Sequence, residues 1–147
     1  MVTYDSFVGH KVHKLDSKNR LSIPSYMRAE LGNSFCITHG NTDDRLVIRT
    51  PENWKLFMEQ LQTLPSSVRE MADIRFIAFA EWLSLDPNGR ILLADKLKDV
   101  IGVKANDEVV VFGVSDRIEI WNKSAFEASV KESDKIDWTS VFDSHGM

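Results

Sequence analysis

Residues 15–23 read Leu-Asp-Ser-Lys-Asn-Arg-Leu-Ser-Ile, and residues 85–93 read Leu-Asp-Pro-Asn-Gly-Arg-Ile-Leu-Leu. The same offset of 70 residues places Gly32 on Gly102, and after a two-residue insertion a strand-like Arg-Leu-Val-Ile falls on Arg-Ile-Glu-Ile. Leucines alone would align by chance. A shared Asp-x-x-x-Arg, followed by a matching glycine and a matching strand, is much less expected by accident, so the chain contains an internal repeat.

Each copy of the repeat begins with a predicted hairpin around its Asp-x-x-x-Arg motif. Weak strand character precedes each aspartate, and short apolar alternation follows each turn. Asn19 and Gly89 stand where the turn calls for a positive φ, which both residue types tolerate. The rest of each copy is predicted as a short helix closed by a glycine and two strands, over residues 26–31, 34–38 and 45–49, and over residues 95–100, 108–114 and 117–121.

Further helices are predicted after the two copies. Thr50 can cap a helix with a proline in its first turn, and Ser67 and Ser124 each open a capping-box pattern. Residues 74–80 are apolar nearly all round and are predicted to be buried on more than one side, either in the core of the chain or at a subunit interface. The polar stretch after Asp134 shows no periodicity and is predicted to be a mobile tail.

The size of the repeat predicts how the two copies are arranged. A four-strand copy of about 45 residues is too small to bury an adequate core alone. Two such copies in one chain suggest a shared barrel, an intrachain pseudo-dimer. The predicted fold class is therefore mainly β with short helices (α+β).

Composition and charge limit the cellular compartments and the partners that the sequence suggests. Hydrophobic residues make up 43% and charged residues 27%, which is ordinary for a soluble globular protein. No apolar run approaches the roughly 20 residues that span a bilayer, the N-terminal residues lack a signal-peptide pattern, and the single Cys36 suits a reducing cytoplasm. The net charge is −4, yet residues 10–28 carry +4 and residues 127–143 carry −3. This segregation is either chance variation in solvated loops or a basic surface for nucleic acid.

These motifs resemble the MraZ family of bacterial transcriptional regulators. The resemblance rests on the two Asp-x-x-x-Arg settings, on the Arg-Ile-Glu-Ile-Trp of residues 117–121 and on the Pro-Glu-x-Trp of residues 51–54, and it runs from about residue 7 to residue 130. The sequence departs from the family pattern at Asn19, which replaces a glycine. The copies also differ where Ala94 matches Pro24 and where Lys98 matches Arg28, which puts equal DNA affinity of the two copies in doubt.

The resemblance implies tandem AbrB-like half-domains, with a swapped-hairpin β-barrel formed as an intrachain pseudo-dimer. The expected division is a first half-domain at residues 7–53, connecting helices at 54–80, a second half-domain at 81–126, and a C-terminal helix with a mobile tail at 127–147. It also implies ring-shaped homo-oligomers that bind repeated promoter elements of the division and cell-wall gene cluster. The Asp-x-x-x-Arg motifs would line the DNA-facing surface.

The chemistry of the motif suits DNA. The planar fork of an arginine near a turn can make two hydrogen bonds to guanine or to phosphate, and an aspartate four residues earlier can orient that fork. The alternative is structural, with each aspartate capping its turn and pairing with its arginine. Exposed lysines would add non-specific attraction to phosphates. The candidate DNA-binding residues are Arg20, Arg90, Asp16, Asp86, Lys18, Lys14, Lys11 and Arg28.

Catalysis is not expected. The histidines lack partners at metal-ligand spacing, Cys36 is predicted to be a buried structural thiol, and the sequence has no phosphate-binding loop or dinucleotide fingerprint. We therefore expect no enzyme activity, metal, cofactor, small-molecule substrate or membrane association. The expected partners are double-stranded DNA and further copies of the chain, in the cytoplasm and at the nucleoid. The competing hypothesis is an oligomeric protein-interaction scaffold, which the acidic total charge would favour.

Overall fold

The computed structural model describes residues 7–147, which form eight strands and six helices. The strands are β1 (His10–Lys14), β2 (Arg20–Ser22), β3 (Phe35–His39), β4 (Arg45–Arg49), β5 (Glu81–Leu83), β6 (Arg90–Leu92), β7 (Glu108–Val114) and β8 (Arg117–Asn122). The helices are α1 (Ser25–Leu31), α2 (Pro51–Gln62), α3 (Ser66–Ala72), α4 (Asp95–Val100), α5 (Lys123–Asp134) and α6 (Trp138–Ser144), with a π-helical turn at Asp73–Ile77. The fold is therefore mostly antiparallel sheet with short helices, as the sequence predicts.

The strands of the two copies are interleaved. The main sheet has the order β1-β7-β8-β4-β3-β5, so the first strand of each copy pairs with a strand of the other copy. Strands β4 and β8 pair at the middle of the sheet, and β2 pairs with β6 in a separate two-stranded sheet. Every step of the order in one copy is matched by the equivalent strand of the other. The chain is thus arranged as a pseudo-dimer that exchanges strands between its halves.

The predicted hairpins are wrong in their pairing. The turns form, but β1 leaves the first turn to pair with β7, whereas β2 pairs with β6. Hydrogen bonding among residues 7–147 leaves β1 and β5 as open edges of the sheet, so the closed swapped-hairpin barrel is not confirmed.

One hydrophobic core lies between the two sheets and draws on both copies. Leu21 and Ile23 of the first copy and Ile91 and Leu93 of the second are at most 1% exposed. Burying each such side chain contributes about 1.5–3 kcal/mol. Because the two motif segments face the same core, neither copy can bury its apolar side chains without the other.

The helix boundaries agree with some of the predicted signals. Thr50 caps α2, with its Oγ1 accepting a hydrogen bond from the Asn53 amide at 3.3 Å. The other two capping boxes are wrong. Helix α3 begins directly after Pro65, and Asn122 caps α5 through a 3.2 Å bond from the Ala125 amide to its Oδ1. Asn122 lies two residues before Ser124, so the helix begins ahead of the predicted cap.

Two predictions about the helical segments are corrected. Residues 74–80 are not buried in the core of the chain: no residue of the π-helical turn is buried, and Ile74 is 50% exposed. The stretch after Asp134 is not irregular, because it forms α6, whose N-terminus is capped by Asp137. Within residues 7–147 no helix is both long and apolar enough to cross a bilayer.

Candidate nucleic-acid interface

The two Asp-x-x-x-Arg motifs meet on one two-stranded ribbon, which we call the motif ribbon (β2 with β6). Leu21 pairs with Ile91 at its centre, and both side chains are buried. Since side chains alternate across a strand, Arg20 and Arg90 lie on the opposite, outward face. Their register makes them diagonal neighbours, with Cβ atoms somewhat less than about 7–8 Å apart.

The first motif turn, residues 16–20, is held by its aspartate. Asp16 Oδ1 accepts hydrogen bonds from the amides of Lys18 at 2.8 Å and Arg20 at 2.9 Å. The other carboxylate oxygen, Oδ2, accepts from Arg20 Nε at 2.8 Å. Asn19 takes the positive φ of 63° that closes the turn. The carboxylate therefore serves both alternatives of the sequence analysis, because it caps the turn and also orients the guanidinium.

The second motif turn, residues 86–90, repeats this arrangement. Asp86 Oδ1 accepts from the amides of Asn88 and Arg90, both at 2.9 Å, and its Oδ2 accepts from Arg90 Nε at 3.0 Å. Gly89 takes the positive φ of 74°. The two turns therefore make the same hydrogen bonds, with Oδ1 and Oδ2 of each aspartate accepting from equivalent donors.

One ion pair breaks the symmetry between the two turns. Arg90 Nη1 lies 3.6 Å from Asp16 Oδ2, whereas Arg20 makes no ion pair with Asp86. The Arg90 side chain is also less exposed than that of Arg20, 25% against 34%. Arg20 is consequently the freer of the two guanidinium groups.

Both aspartates stay ionised to lower pH than usual. Backbone hydrogen bonds, first from the Arg20 amide, lower the pKa of Asp16, and the equivalent bond from Arg90 lowers the pKa of Asp86. The negative charge that orients each arginine is therefore present at neutral pH.

The basic candidates fall into two groups. Lys11, Lys14 and Lys18 are exposed, and no ion pair with another described residue engages them. Arg28, in contrast, turns inward: its Nε donates to the carbonyl oxygen of Ile23 at 2.8 Å, and its guanidinium lies beside Gly89. The lysines can reach a polyanion directly, whereas Arg28 is engaged within the fold.

Sequence reasoning missed the contact between Lys98 and Asn19 beside the first turn. Lys98 is only 7% exposed, and its Nζ donates to Asn19 Oδ1 at 2.8 Å. The available signal was the repeat itself, since Lys98 matches Arg28 and Asn19 matches Gly89 at the same offset.

Two further observations concern the cysteine and possible metal ligands. Cys36 is 1% exposed, and burial raises the pKa of its thiol to about 11, which agrees with the prediction of a structural thiol. Residues 7–147 contain no cluster of three or more histidine, cysteine, aspartate or glutamate side chains that could hold a metal ion.

Comparison with known proteins supplies a family for this arrangement. The family model described as "MraZ protein, putative antitoxin-like" matches residues 6–77 and again residues 76–143. The two matches divide the chain into two tandem MraZ domains.

Relatives match over most of their length. A protein named "Transcriptional regulator MraZ" from Pediococcus pentosaceus is 38% identical over 131 residues, covering 88% of this chain and 90% of the relative. Proteins of the same name from Clostridium tetani and Clostridium acetobutylicum are 39% and 40% identical, covering 82% and 80% of this chain and 84% and 82% of the relatives.

Proposed function

The chain belongs to the MraZ family, and on this premise we propose that it is a non-enzymatic regulator of transcription that binds double-stranded DNA through the motif ribbon. The relatives named above are called transcriptional regulators. The observation that carries the proposal is the outward face of the ribbon, where two arginines lie side by side, each oriented by its own aspartate.

The geometry of the ribbon fits a groove of DNA. The major groove of B-form DNA admits a two-stranded β-ribbon, and a bidentate arginine contact to guanine is its commonest specific contact. An arginine already held by a carboxylate loses less conformational freedom when it binds. Lys18, within the first motif turn, and Lys11 and Lys14, on the strand that leads into it, supply exposed positive charge for phosphates.

The proposed targets are repeated promoter elements of the division and cell-wall gene cluster, reached at the nucleoid. Repeated elements require several binding surfaces at fixed spacing, because linked weak contacts gain avidity from their effective concentration. We therefore include a closed homo-oligomer in the proposal. Its interface would use the outer helical face, which we define by two apolar side chains one helical turn apart, Met71 and Ile74, at 58% and 50% exposure.

The decisive experiment is a salt titration of binding to the DNA upstream of the native gene, with a scrambled duplex as control. Neutralised phosphates give a steep negative slope of log affinity against log salt concentration. We expect this slope together with tighter binding to the native duplex. Absence of binding to the native duplex at low salt would contradict the proposal and favour the scaffold alternative, for which the acidic total charge of −4 is the supporting observation.

A further inference from the structure

The first motif turn is contacted by a lysine from the second copy. Lys98, on α4, donates from Nζ to Asn19 Oδ1 at 2.8 Å and lies 3.0 Å from Asp95 Oδ1. Its side chain is only 8% exposed. A lysine is rarely buried to this extent unless its ammonium group is partnered, and here one of the two partners belongs to the turn that presents Arg20.

The second motif turn is contacted by an arginine from the first copy. Arg28, on α1, is held by its 2.8 Å bond to the Ile23 carbonyl oxygen, and its guanidinium covers Gly89 so closely that a Cβ there would overlap it. Gly89 also requires a positive φ of 74°. A larger residue at this turn would have to adopt that φ and would also push the Arg28 guanidinium away from its bond to Ile23.

The two contacts are equivalent but use different residue pairs. Arg28 and Lys98 occupy the same position in the two copies, and so do Gly89 and Asn19. Where the crossing residue is arginine, the turn residue has no side chain. Where the crossing residue is the slimmer lysine, the turn residue is an asparagine whose amide oxygen meets the ammonium. Asn19, the departure from the family pattern, and Lys98, one of the two differences between the copies, thus lie in one contact.

The backbones of the same turns also cross between copies. The Leu93 amide donates to the Asn19 carbonyl oxygen at 2.9 Å, and the Ile23 amide donates to the Gly89 carbonyl oxygen at 3.0 Å. Each turn is consequently bounded on one side by the ribbon and on the other by a helix of the opposite copy.

We propose that Lys98 and Arg28 are positioning residues, each of which holds the motif turn of the other copy and so sets the direction in which Arg20 and Arg90 face DNA. The proposal rests on the proposed function for its DNA-binding consequence. It assigns Arg28 an indirect role in place of the direct DNA contact expected from sequence, and it makes the Asn19–Lys98 and Gly89–Arg28 pairs interdependent.

The first test needs no DNA. Lys98→Met keeps most of the apolar stem and removes the ammonium, and Lys96→Met on the same helix, at a side chain 43% exposed, is the matched control. Amide hydrogen exchange is measured by NMR at Lys18 and Arg20. We expect about tenfold faster exchange there in Lys98→Met only, the factor set by one hydrogen bond to a charged group, with the amides of the second turn unchanged. Unchanged rates, or equal acceleration at both turns, would overturn the proposal.

The second test separates positioning from phosphate contact. Lys98→Met is expected to weaken binding to the native duplex about tenfold without altering the slope against salt. Loss of a phosphate contact would instead reduce that slope by about 0.9 and would overturn the assignment. If the unmodified protein binds no DNA, the proposed function fails, while the exchange measurement still decides whether Lys98 holds the turn.

A residue exchange tests the interdependence of the pairs. Gly89→Asn alone introduces a Cβ into the Arg28 guanidinium and is expected to lower the melting temperature and accelerate exchange at Arg90. Adding Arg28→Lys recreates the Asn–Lys pair of the first turn and is expected to restore most of both losses. A double variant no better than Gly89→Asn would overturn the idea of matched pairs, because independent sites simply add.

Discussion

At the scale of single residues, Arg20 shows how a surface side chain can be ordered without being buried. Its Nε is bound to Asp16, yet its side chain stays 34% exposed. Exposed ion pairs contribute little to folding, typically 0–1 kcal/mol. This ion pair is therefore expected to add little to the stability of the fold, whatever it contributes to the proposed recognition of DNA.

A charge-preserving substitution separates these two roles. Arg20→Lys keeps the positive charge but loses the planar fork, so we expect discrimination between native and scrambled DNA to fall by about 1–3 kcal/mol while weak binding at low salt persists. The melting temperature should hardly change. If Arg20→Lys instead lowers the melting temperature by many degrees and leaves the DNA affinity per folded molecule unaltered, the motif stabilises the fold and does not contact DNA. Fluorescence anisotropy and calorimetry give the two readouts.

Asp16→Asn tests the residue that orients Arg20. The amide oxygen can still accept the two backbone bonds of the turn, but the amide nitrogen would face Arg20 Nε in place of Oδ2. We expect a nearly normal melting temperature and a DNA affinity between those of the wild type and Arg20→Ala. Affinity equal to that of the wild type would show that the carboxylate does not matter for orienting the arginine.

His39 gives a prediction about acid stability. Neither ring nitrogen has a hydrogen-bond partner among residues 7–147, and burial, followed by the charge of Arg75, lowers the pKa of the imidazole. Below about pH 6.5 the unfolded chain takes up a proton that the folded chain resists, so stability falls as the pH falls. His39→Phe should flatten this fall in thermal melts. The fall in stability that persists in this variant should come from His13, whose pKa is also lowered by burial.

The control for this prediction is His145→Phe, at an exposed residue beyond α6. If His39→Phe and His145→Phe change the pH dependence of melting equally, burial of His39 is not its source.

At the scale of elements, the motif ribbon is nearly symmetric in hydrogen bonding but not in charge. Arg90 is shared between Asp86 and Asp16, whereas Arg20 has one carboxylate partner. The three exposed candidate lysines, Lys11, Lys14 and Lys18, also belong to the first copy. The two arginines are therefore expected to contribute unequally to DNA binding.

Alanine substitution measures this inequality. Arg20→Ala should weaken binding to the native duplex more than Arg90→Ala does. Arg90 must break an additional ion pair, with Asp16, before it can contact DNA. Titrations of both variants under one salt condition give the ranking. Equal losses, or a larger loss for Arg90→Ala, would reject it.

At the scale of the whole molecule, strand exchange makes the two copies one folding unit. Strands β1 and β5 each lie against the opposite copy, and the core side chains of both motifs face one another. We expect unfolding in a single cooperative transition. The outer helical face, in contrast, remains exposed in the folded chain.

The outer helical face predicts self-association. Ile74→Asn places a polar side chain where half the isoleucine is exposed, so it should reduce the mass measured by light scattering without lowering the helix content. Val130→Asn, on α5 at 44% exposure, is the matched control and should leave the mass unchanged. A wild-type protein that is monomeric at micromolar concentration would contradict the proposed closed oligomer.

The local sequence by itself predicts the turns, the ion pairs within the motifs and the start of one helix. Asn19 and Gly89 indicate the turns, the aspartates and arginines of the motifs indicate their own pairing, and Thr50 indicates the start of α2, because each acts over one to four residues. The internal repeat further predicts one shared core, since a single copy is too small to form its own.

Strand partners and crossed contacts were decided only by the tertiary structure. Pairing of β1 with β7, and of β2 with β6, joins segments about 70 or more residues apart, and a strand carries no local mark of which edge it will meet. The contact of Arg28 with Gly89 is equally absent from the local sequence, because it joins residues of different copies. From the sequence alone, Arg28 is therefore predicted to be a surface cation. The exposure of residues 74–80 also depends on the tertiary structure. An apolar run shows that its side chains can be buried, but burial requires another surface to pack against them.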